Sequence, residues 1–283
     1  IATGARNRRL GFQHPRRVHY LRSIDDALAL DQALETSRRL LVIGAGFLGL
    51  EAASTARELG LEVEVVEAGP EVMGRAVSAI TASAMAERLR ARGVRIHTNS
   101  AVVGFATAGE TFAGVWLEGQ ELIEADLAVV SIGVEPNVEL ASQAGLAVCN
   151  GVVVDGSLRT ADARIFAIGD CAAFPHYRDG TMVRLESVQN AVDQGRHVAG
   201  SILGNSGRYS SLPWFWSEQG GGRLQIAGLS FGANDWVFRG SNEGGDFSTF
   251  CFRDGKLIAV ESLARPADHM AARRCLSSAT GPS

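Results

Sequence analysis

The stretch Leu40-Leu-Val-Ile-Gly-Ala-Gly-Phe-Leu-Gly49 decides the fold. Its four apolar residues, 40–43, are typical of a short strand that is buried on both faces of a parallel sheet. Gly44, Gly46 and Gly49 follow at once in the spacing G-x-G-x-x-G, and a helical stretch comes next. In this context the first glycine permits a tight turn, the second lets the backbone approach a pyrophosphate at the helix N-terminus, and the third lets helix and strand pack closely. The stretch therefore predicts a dinucleotide site.

The same alternation continues along the chain. Residues 62–66 predict the next strand, 78–92 a second helix that stops at a glycine, and 94–97 a third strand. This order predicts a right-handed βαβαβ unit with a parallel sheet. Ahead of it, Ser23 and Asp26 form a capping-box pattern that predicts a helix over 23–35.

The alternation of strands and helices ends after the third predicted strand. Short β-like runs between 101 and 133 predict a meander followed by a returning strand. A glycine-rich and β-branched region from 151 to 170 precedes a predicted helix at about 186–203. From Trp214 onward, four strand-like runs and a final helix begun by Pro266 predict a small α+β domain.

Glu67 stands at the end of the second strand, where an acidic residue accepts hydrogen bonds from an adenosine ribose. No basic side chain follows at 68–70 to meet a 2′-phosphate, so we predict NADH rather than NADPH. A glycine turn with a purely structural role is the alternative. Glu51, in the first turns of the helix, has two open interpretations: a functional carboxylate, or one that the helix dipole stabilises by about 0.3–1 kcal/mol.

Composition excludes several classes of protein. The chain has 283 residues, 46% of them hydrophobic, which predicts compact domains with real cores. No apolar run approaches the roughly 20 residues of a membrane span, and a net charge of −4 gives no ground for nucleic-acid binding. We expect a cytoplasmic protein. The four cysteines lie too far apart for a C-x-x-C pair or a metal-ligand spacing, so we expect buried free thiols, no dithiol relay and no metal: Cys149, Cys171, Cys251 and Cys275.

Eight stretches, taken together, make the chain similar to the ferredoxin-reductase family of FAD proteins, which includes the reductase components of aromatic-ring dioxygenases. They span nearly the whole chain: Ala2–Arg6, Tyr20–Ala27, Val42–Glu51, Gly133–Asn137, Ile165–Asp170, Arg184–Val188, Leu212–Ser217 and Arg265–Met270. The resemblance implies an α/β fold in which a Rossmann-like NAD-binding domain (9–133) is inserted in the remainder of an FAD-binding domain (1–8 and 134–207). A C-terminal α+β reductase domain (208–283) follows.

The resemblance also implies roles for single residues. Positions that match the NADH site of the family are Gly44, Gly46, Gly49, Glu51, Glu67, Arg75 and Gly133. Among them Glu51 would lie near the nicotinamide and Arg75 near the adenosine end, although Arg75 could equally be a solvated side chain. Positions that match the FAD site are Thr3, Gly4, Arg22, Gly169, Asp170, Val188 and Trp216. Asp170 would meet a ribityl hydroxyl.

Trp216, rather than Trp214, resembles the aromatic residue that covers the flavin–nicotinamide region. Ordinary core packing is the alternative for both tryptophans.

One feature of the family is not found in this sequence. Such reductases open with a strand, a second G-x-G-x-x-G and a helix that bind the ADP part of FAD, and no such segment precedes Ile1. We therefore expect an N-terminally truncated reductase in which roughly one nucleotide-binding half, on the order of 100 residues, is absent. Weak or no retention of FAD by this chain alone is the expected consequence.

The activity that the resemblance implies is transfer of electrons from NADH through FAD to a [2Fe-2S] ferredoxin that serves an oxygenase or a P450. The flavin carries the chemistry, so no catalytic side chain is predicted. Candidate docking residues are Arg253, Lys256, Arg265, Arg273 and Arg274, although a charge cluster is also an ordinary solvated surface. The alternative is a catalytically inert NAD-binding fragment or interaction protein similar to relatives of apoptosis-inducing factor. The sequence leaves the oligomeric state open.

Overall fold

A computed structural model describes residues 1–241 and 245–278 of the chain. Its helices are α1 (Ile24–Glu35), α2 (Phe47–Glu58), α3 (Ala79–Ala91), α4 (Glu139–Gln143), α5 (Val188–Ile202) and α6 (Pro266–Ser277). Its strands are β1 (Ala5–Asn7), β2 (Val18–Tyr20), β3 (Arg39–Ile43), β4 (Glu62–Val66), β5 (Val94–His97), β6 (Val102–Ala108), β7 (Thr111–Leu117), β8 (Leu122–Glu124), β9 (Leu127–Val130), β10 (Val134–Pro136), β11 (Val148–Cys149), β12 (Gly151–Val153), β13 (Ala172–Pro175), β14 (Met182–Val183), β15 (Trp214–Gln219), β16 (Gly222–Gly228), β17 (Asp235–Gly240), β18 (Phe247–Arg253) and β19 (Lys256–Leu263).

The chain divides into two compact units. The smaller unit contains residues 1–6 and 134–215, and the larger unit contains residues 7–133 and 216–283. The segment 7–133 is thus inserted between the two parts of the smaller unit, as the predicted fold class requires.

The centre of the larger unit is a five-stranded sheet in the order β2-β9-β3-β4-β5. Every neighbouring pair in it is parallel. The apolar runs of β3 and β9 are buried, with Leu41, Val42 and Leu127 fully enclosed, which is why they carry no alternation of polar residues. The predicted Rossmann-like βαβαβ unit is confirmed as the segment from β3 to β5.

The predicted meander is confirmed as the three-stranded sheet β6-β7-β8. Its buried side chains, among them Phe112 and Val115, share one hydrophobic core with Leu41 and Val66 of the central sheet. The returning strand is β9. Strand β2 was not predicted, because its three residues are only partly buried and are too few to show a period.

The C-terminal part of the larger unit is a five-stranded sheet in the order β15-β16-β19-β18-β17, with α6 beside it. The pairs β16–β19, β18–β19 and β17–β18 are antiparallel. Helix α6 buries His269, Ala272 and Leu276. The predicted α+β character is confirmed.

The smaller unit has its own core, which includes Ala141, Val152, Leu158 and Val198. A four-stranded sheet, β11-β12-β13-β14, and helices α4 and α5 surround that core. Ile1 is tied to this unit, because its backbone nitrogen donates to the Phe166 carbonyl (2.7 Å) and the Ile168 amide donates to the Ile1 carbonyl (3.0 Å).

The cysteines are free thiols, but the expectation that all are buried is wrong for two of them. Cys171 and Cys251 are buried, whereas Cys149 and Cys275 are exposed. Cys149 lies on the two-residue strand β11, whose side chains face solvent, and Cys275 lies on an exposed position of α6. None of the described helices has both the length and the apolar character needed to cross a membrane.

Candidate dinucleotide site

The candidate site lies at the edge where the carboxyl ends of β4, β3 and β9 meet. Ile43 is in register with Val66 on one side and Val130 on the other, so the segments after these strands leave the sheet together. From β3 the chain adds β4 and β5 on one side, while β9 lies on the other. Ligands of open α/β sheets bind in the crevice at such a reversal of strand order.

Two of the three fingerprint glycines are required by space. Gly44 has a φ of +100°, and a Cβ there would lie 2.2 Å from the Ser131 carbonyl oxygen. A Cβ on Gly49 would lie 2.1 Å from the Gly44 carbonyl oxygen. These contacts bring β3, β9 and α2 closer together than any other residue allows.

Gly46 differs from the other two, because a Cβ there would meet nothing within 4 Å. It is the N-cap residue of α2, and no side chain in the described part of the protein caps the helix at this end. The positive end of the α2 dipole therefore lies beside the open space at Gly46. This arrangement fits the phosphate groups of a nucleotide.

Glu67 follows β4 and is held by two backbone amides. Its Oε2 accepts from the Ala45 amide and its Oε1 from the Gly69 amide, both at 2.8 Å. Since each carboxylate oxygen has two acceptor sites, both oxygens retain capacity for a ribose hydroxyl. The turn after β5 fixes this loop, because Asn99 donates its amide to the Gly69 carbonyl (2.8 Å) and Ser100 donates its amide to the Glu67 carbonyl (2.9 Å).

Glu51 of α2 is bonded to the C-terminal sheet. The Ser217 hydroxyl donates to its Oε1 at 2.5 Å, and the Glu218 amide donates to the same oxygen at 3.2 Å. Ser217 is buried, with 1% of its surface exposed. The structure thus gives Glu51 specific partners beyond the helix dipole, and these partners lie on β15.

Trp216 precedes Ser217 on β15, and alternation along a strand places the two side chains on opposite faces. Trp216 has 39% of its surface exposed, so it is not enclosed in the core. Trp214 is half-buried.

The remaining predicted NADH residues lie on loops at this edge. Gly133 is exposed, has a φ of +91° and follows β9. Arg75 is exposed, on the loop in which Met73 donates its amide to the Ala45 carbonyl at 2.9 Å. That hydrogen bond holds the Arg75 loop against the fingerprint turn.

The predicted FAD residues are distributed between the two units. In the smaller unit, Ile1 is hydrogen-bonded to Phe166 and Ile168, just before Gly169 and Asp170. Thr3 and Gly4 are hydrogen-bonded to Asn137. Val188 is the first residue of α5 and is 70% exposed. Arg22 and Trp216 belong to the larger unit, and Arg22 is exposed just before α1.

The flavin-signature turn carries an unsatisfied polar atom. Gly169 has a φ of +72°, and its amide donates to Oε1 of the buried Gln194 at 2.7 Å. Among the described residues, Nε2 of Gln194 has no hydrogen-bond partner. A bound group or a water molecule next to Gly169 would satisfy it, so the turn fits a ligand.

Sequence reasoning missed Ser217, Gln219 and Gln194. Each is a buried polar residue, and no spacing or composition signal distinguishes such residues before the fold is known.

Two family models match the chain. A model described as pyridine nucleotide-disulphide oxidoreductase matches residues 1–195, and one described as reductase C-terminal matches residues 214–283. The chain belongs to the pyridine nucleotide-disulphide oxidoreductase family. The family resemblance stated from the sequence is thereby confirmed.

Members of the family align with nearly the whole chain. Rhodocoxin reductase of Rhodococcus erythropolis is 49% identical over 98% of this chain. A ferredoxin reductase structure from Rhodopseudomonas palustris superposes with a TM-score of 0.95 at 46% identity, and the structure of a covalent putidaredoxin reductase–putidaredoxin complex with 0.93 at 35% identity, each over 98% of this chain. The chain spans 65%, 69% and 68% of the length of these three proteins, respectively.

Proposed function

We propose that the chain is the NADH-binding and C-terminal part of a flavin-dependent ferredoxin reductase. It would pass electrons from NADH through FAD to a [2Fe-2S] ferredoxin that serves an oxygenase or P450. The observation that carries the proposal is the joint placement of the fingerprint turn at the N-terminus of α2, Glu67 and Glu51 around one edge of the parallel sheet. The family membership and the names of its relatives support the reaction class.

NADH would lie along this edge with its pyrophosphate at the amides of α2 and its adenosine ribose on Glu67. Gly44, Gly49 and Gly133 would shape the crevice, Arg75 would lie at the adenosine end, and Glu51 near the nicotinamide. No basic side chain stands at 68–70 to receive a 2′-phosphate. That charge pattern supports NADH over NADPH.

The residues proposed to contact FAD are Thr3, Gly4, Arg22, Gly169, Asp170, Val188 and Trp216. When bound, FAD supplies the chemistry of taking two electrons from a nicotinamide and giving them up one at a time. The residues of this chain would bind and orient both cofactors, and none of them needs to act as an acid, a base or a nucleophile.

Fewer basic residues are available to bind a ferredoxin than the sequence analysis proposed. Arg265 forms an ion pair with Asp268 at 2.7 Å, and Arg253 donates to the carbonyls of Phe231 and Gly232. Lys256 and Arg274 are exposed, and Arg273 is half-buried. We propose that Arg273 and Arg274, on α6, carry the electrostatic attraction of an acidic ferredoxin.

The domain division of the sequence analysis stays part of this proposal: 1–8 and 134–207 for FAD, 9–133 for NADH, and 208–283 for the reductase domain. A cytoplasmic location is also part of this proposal.

The NADH site is tested by replacing the predicted ribose ligand. Glu67→Gln removes the carboxylate charge, and we expect NADH to bind roughly ten- to hundredfold more weakly, since hydrogen bonds to charged groups contribute about 1.5–3 kcal/mol. Isothermal titration of the purified chain with NADH and NADPH measures the effect. Glu64→Gln is the matched control, because Glu64 lies on β4, three residues before Glu67, but binds Arg95 and His97. Equal losses in both variants, or a wild-type chain that binds no NADH, would contradict the proposal.

A further inference from the structure

Glu51 is the end point of a hydrogen-bond chain from the C-terminal sheet. Nε2 of Gln219 donates to the Ser217 hydroxyl oxygen at 3.0 Å, and that hydroxyl donates to Oε1 of Glu51 at 2.5 Å. All three residues belong to the larger unit, and Gln219, like Ser217, is 1% exposed. The hydrogen bonds from Gln219 to Glu51 are therefore shielded from water up to the carboxylate.

Both hydrogen bonds are donated towards Glu51. A serine hydroxyl has a single proton to donate, and the Gln219 amide occupies its acceptor side. The proton of Ser217 is therefore committed to Glu51. With the Glu218 amide, two donors converge on Oε1 and fix the carboxylate on α2, which leaves Oε2 for other partners.

Neighbouring contacts hold the donors in place. The Gly220 amide donates to the Ser54 hydroxyl of α2 at 2.8 Å, and Arg88 of α3 donates to the Gly220 carbonyl at 2.7 Å. Gln219 also reaches the Met73 sulfur at 3.5 Å. The end of β15 is thus anchored to α2, to α3 and to the loop that follows β4, so its side chains have little freedom to move away from Glu51.

We propose that Ser217 and Gln219 are positioning residues that orient the Glu51 carboxylate, and that this orientation makes the site prefer the oxidised over the reduced nicotinamide. The inference rests on the proposed function, which places the nicotinamide near Glu51. The nicotinamide ring of NAD⁺ carries a positive charge and that of NADH does not, so a fixed carboxylate attracts the former. Rotation of the carboxylate reduces that attraction without touching the adenosine half of the nucleotide.

The test compares three probes: NAD⁺, NADH and ADP-ribose, which has no nicotinamide. We expect Ser217→Ala to lower the preference for NAD⁺ over NADH about three- to tenfold, since one hydrogen bond to a charged group is lost, and to leave the Kd of ADP-ribose unchanged. Gln219→Ala removes the donor to the Ser217 hydroxyl without adding a charge, so that hydroxyl is free to rotate away from Glu51, and the variant is expected to act in the same direction. In a Glu51→Gln background, Ser217→Ala should change the ratio no further, because the charge is already gone.

The matched control is Ser262→Ala, which removes a buried serine that accepts from Ser248 at 3.1 Å in the same sheet. An unchanged NAD⁺/NADH ratio in Ser217→Ala would overturn the inference. A parallel loss of ADP-ribose affinity would also overturn it, because the role of Ser217 would then be structural. If the wild-type chain binds ADP-ribose but binds NAD⁺ and NADH no more tightly than ADP-ribose, Glu51 does not lie near the nicotinamide and the inference is wrong. If the wild-type chain binds none of the three probes, it is the proposed function that is wrong.

Discussion

Gly44 and Gly46 are both glycines of one fingerprint, yet the structure requires glycine for different reasons. At Gly44 the backbone conformation and the Ser131 carbonyl exclude a side chain. At Gly46 the φ is −74° and the space is open, so only a ligand would exclude a side chain. Folding and binding can therefore be separated at two neighbouring positions.

Gly44→Ala is expected to destabilise the larger unit by more than about 2 kcal/mol, because strained backbone and a close contact arise together. Gly46→Ala should leave stability within about 1 kcal/mol of wild type and weaken NADH binding about tenfold or more, since its methyl group would stand where the backbone approaches the pyrophosphate. Urea unfolding and NADH titration of both variants measure the two effects. Equal losses of stability would show that the two positions are not distinct.

For single residues, the sequence predicts only those roles that depend on neighbours close along the chain. The glycines and Glu67 are recognised because strand, turn and helix follow one another along the chain. The partners of Glu51 lie 166 and 167 residues away, and only tertiary packing brings them together. Ser217 is an ordinary polar residue in a strand until the position of α2 is known.

Among the elements, α3 has an unusual N-terminus. Its N-cap residue Ser78 donates both its amide (2.9 and 3.1 Å) and its hydroxyl (2.6 Å) to the carboxylate of Glu261 on β19. Glu261 is fully buried. The C-terminal sheet therefore provides the negative charge that the positive end of the α3 dipole favours.

Glu261→Gln is expected to destabilise the chain by about 2–4 kcal/mol. The substitution replaces one of the two oxygens that accept from Ser78 by an amide nitrogen, which cannot accept, and it removes the charge at the end of α3. The comparison is Ser23→Ala, which removes the exposed N-cap of α1 and should cost about 1 kcal/mol. The urea unfolding midpoints of both variants show which substitution destabilises the chain more. A cost for Glu261→Gln no larger than that for Ser23→Ala would contradict a structural role for this carboxylate.

Elements with a local signal were predicted well. The capping box of Ser23 and Asp26 is present at α1, and α5 and α6 begin within two residues of the predicted positions. Helix α4 and strand β2 were missed, because five and three residues are too short for a periodic pattern. The order of strands in the central sheet follows from the βαβ rules only as far as β5, whereas β2 and β9 join it through long-range pairing.

For the molecule as a whole, acid stability depends on a buried imidazole. Burial and the neighbouring Arg273 lower the pKa of His269 from 6.5 to about 4. Between these values the unfolded chain binds a proton that the folded chain does not, so stability falls as the pH falls through this window. The loss attributable to His269 approaches about 3 kcal/mol at the acid end.

The prediction is checked by urea unfolding of wild type and of His269→Gln at about pH 7 and about pH 4.5. Wild type should lose about 2–3 kcal/mol relative to the variant between the two conditions, since the variant has no imidazole to protonate. Carboxylates titrate in both proteins and cancel in the difference. A difference that does not change with pH would mean that folding does not lower the pKa of His269.

The distribution of the cysteines has a practical consequence. The exposed Cys149 belongs to the smaller unit and the exposed Cys275 to the larger one. The buried Cys171 and Cys251 are protected from reagents, and burial together with Glu261 raises the pKa of the Cys251 thiol further. Wild-type protein therefore offers one accessible thiol on each unit for maleimide dyes. Energy transfer between such dyes would report the distance between the units, and its response to nucleotide, without any engineered residue.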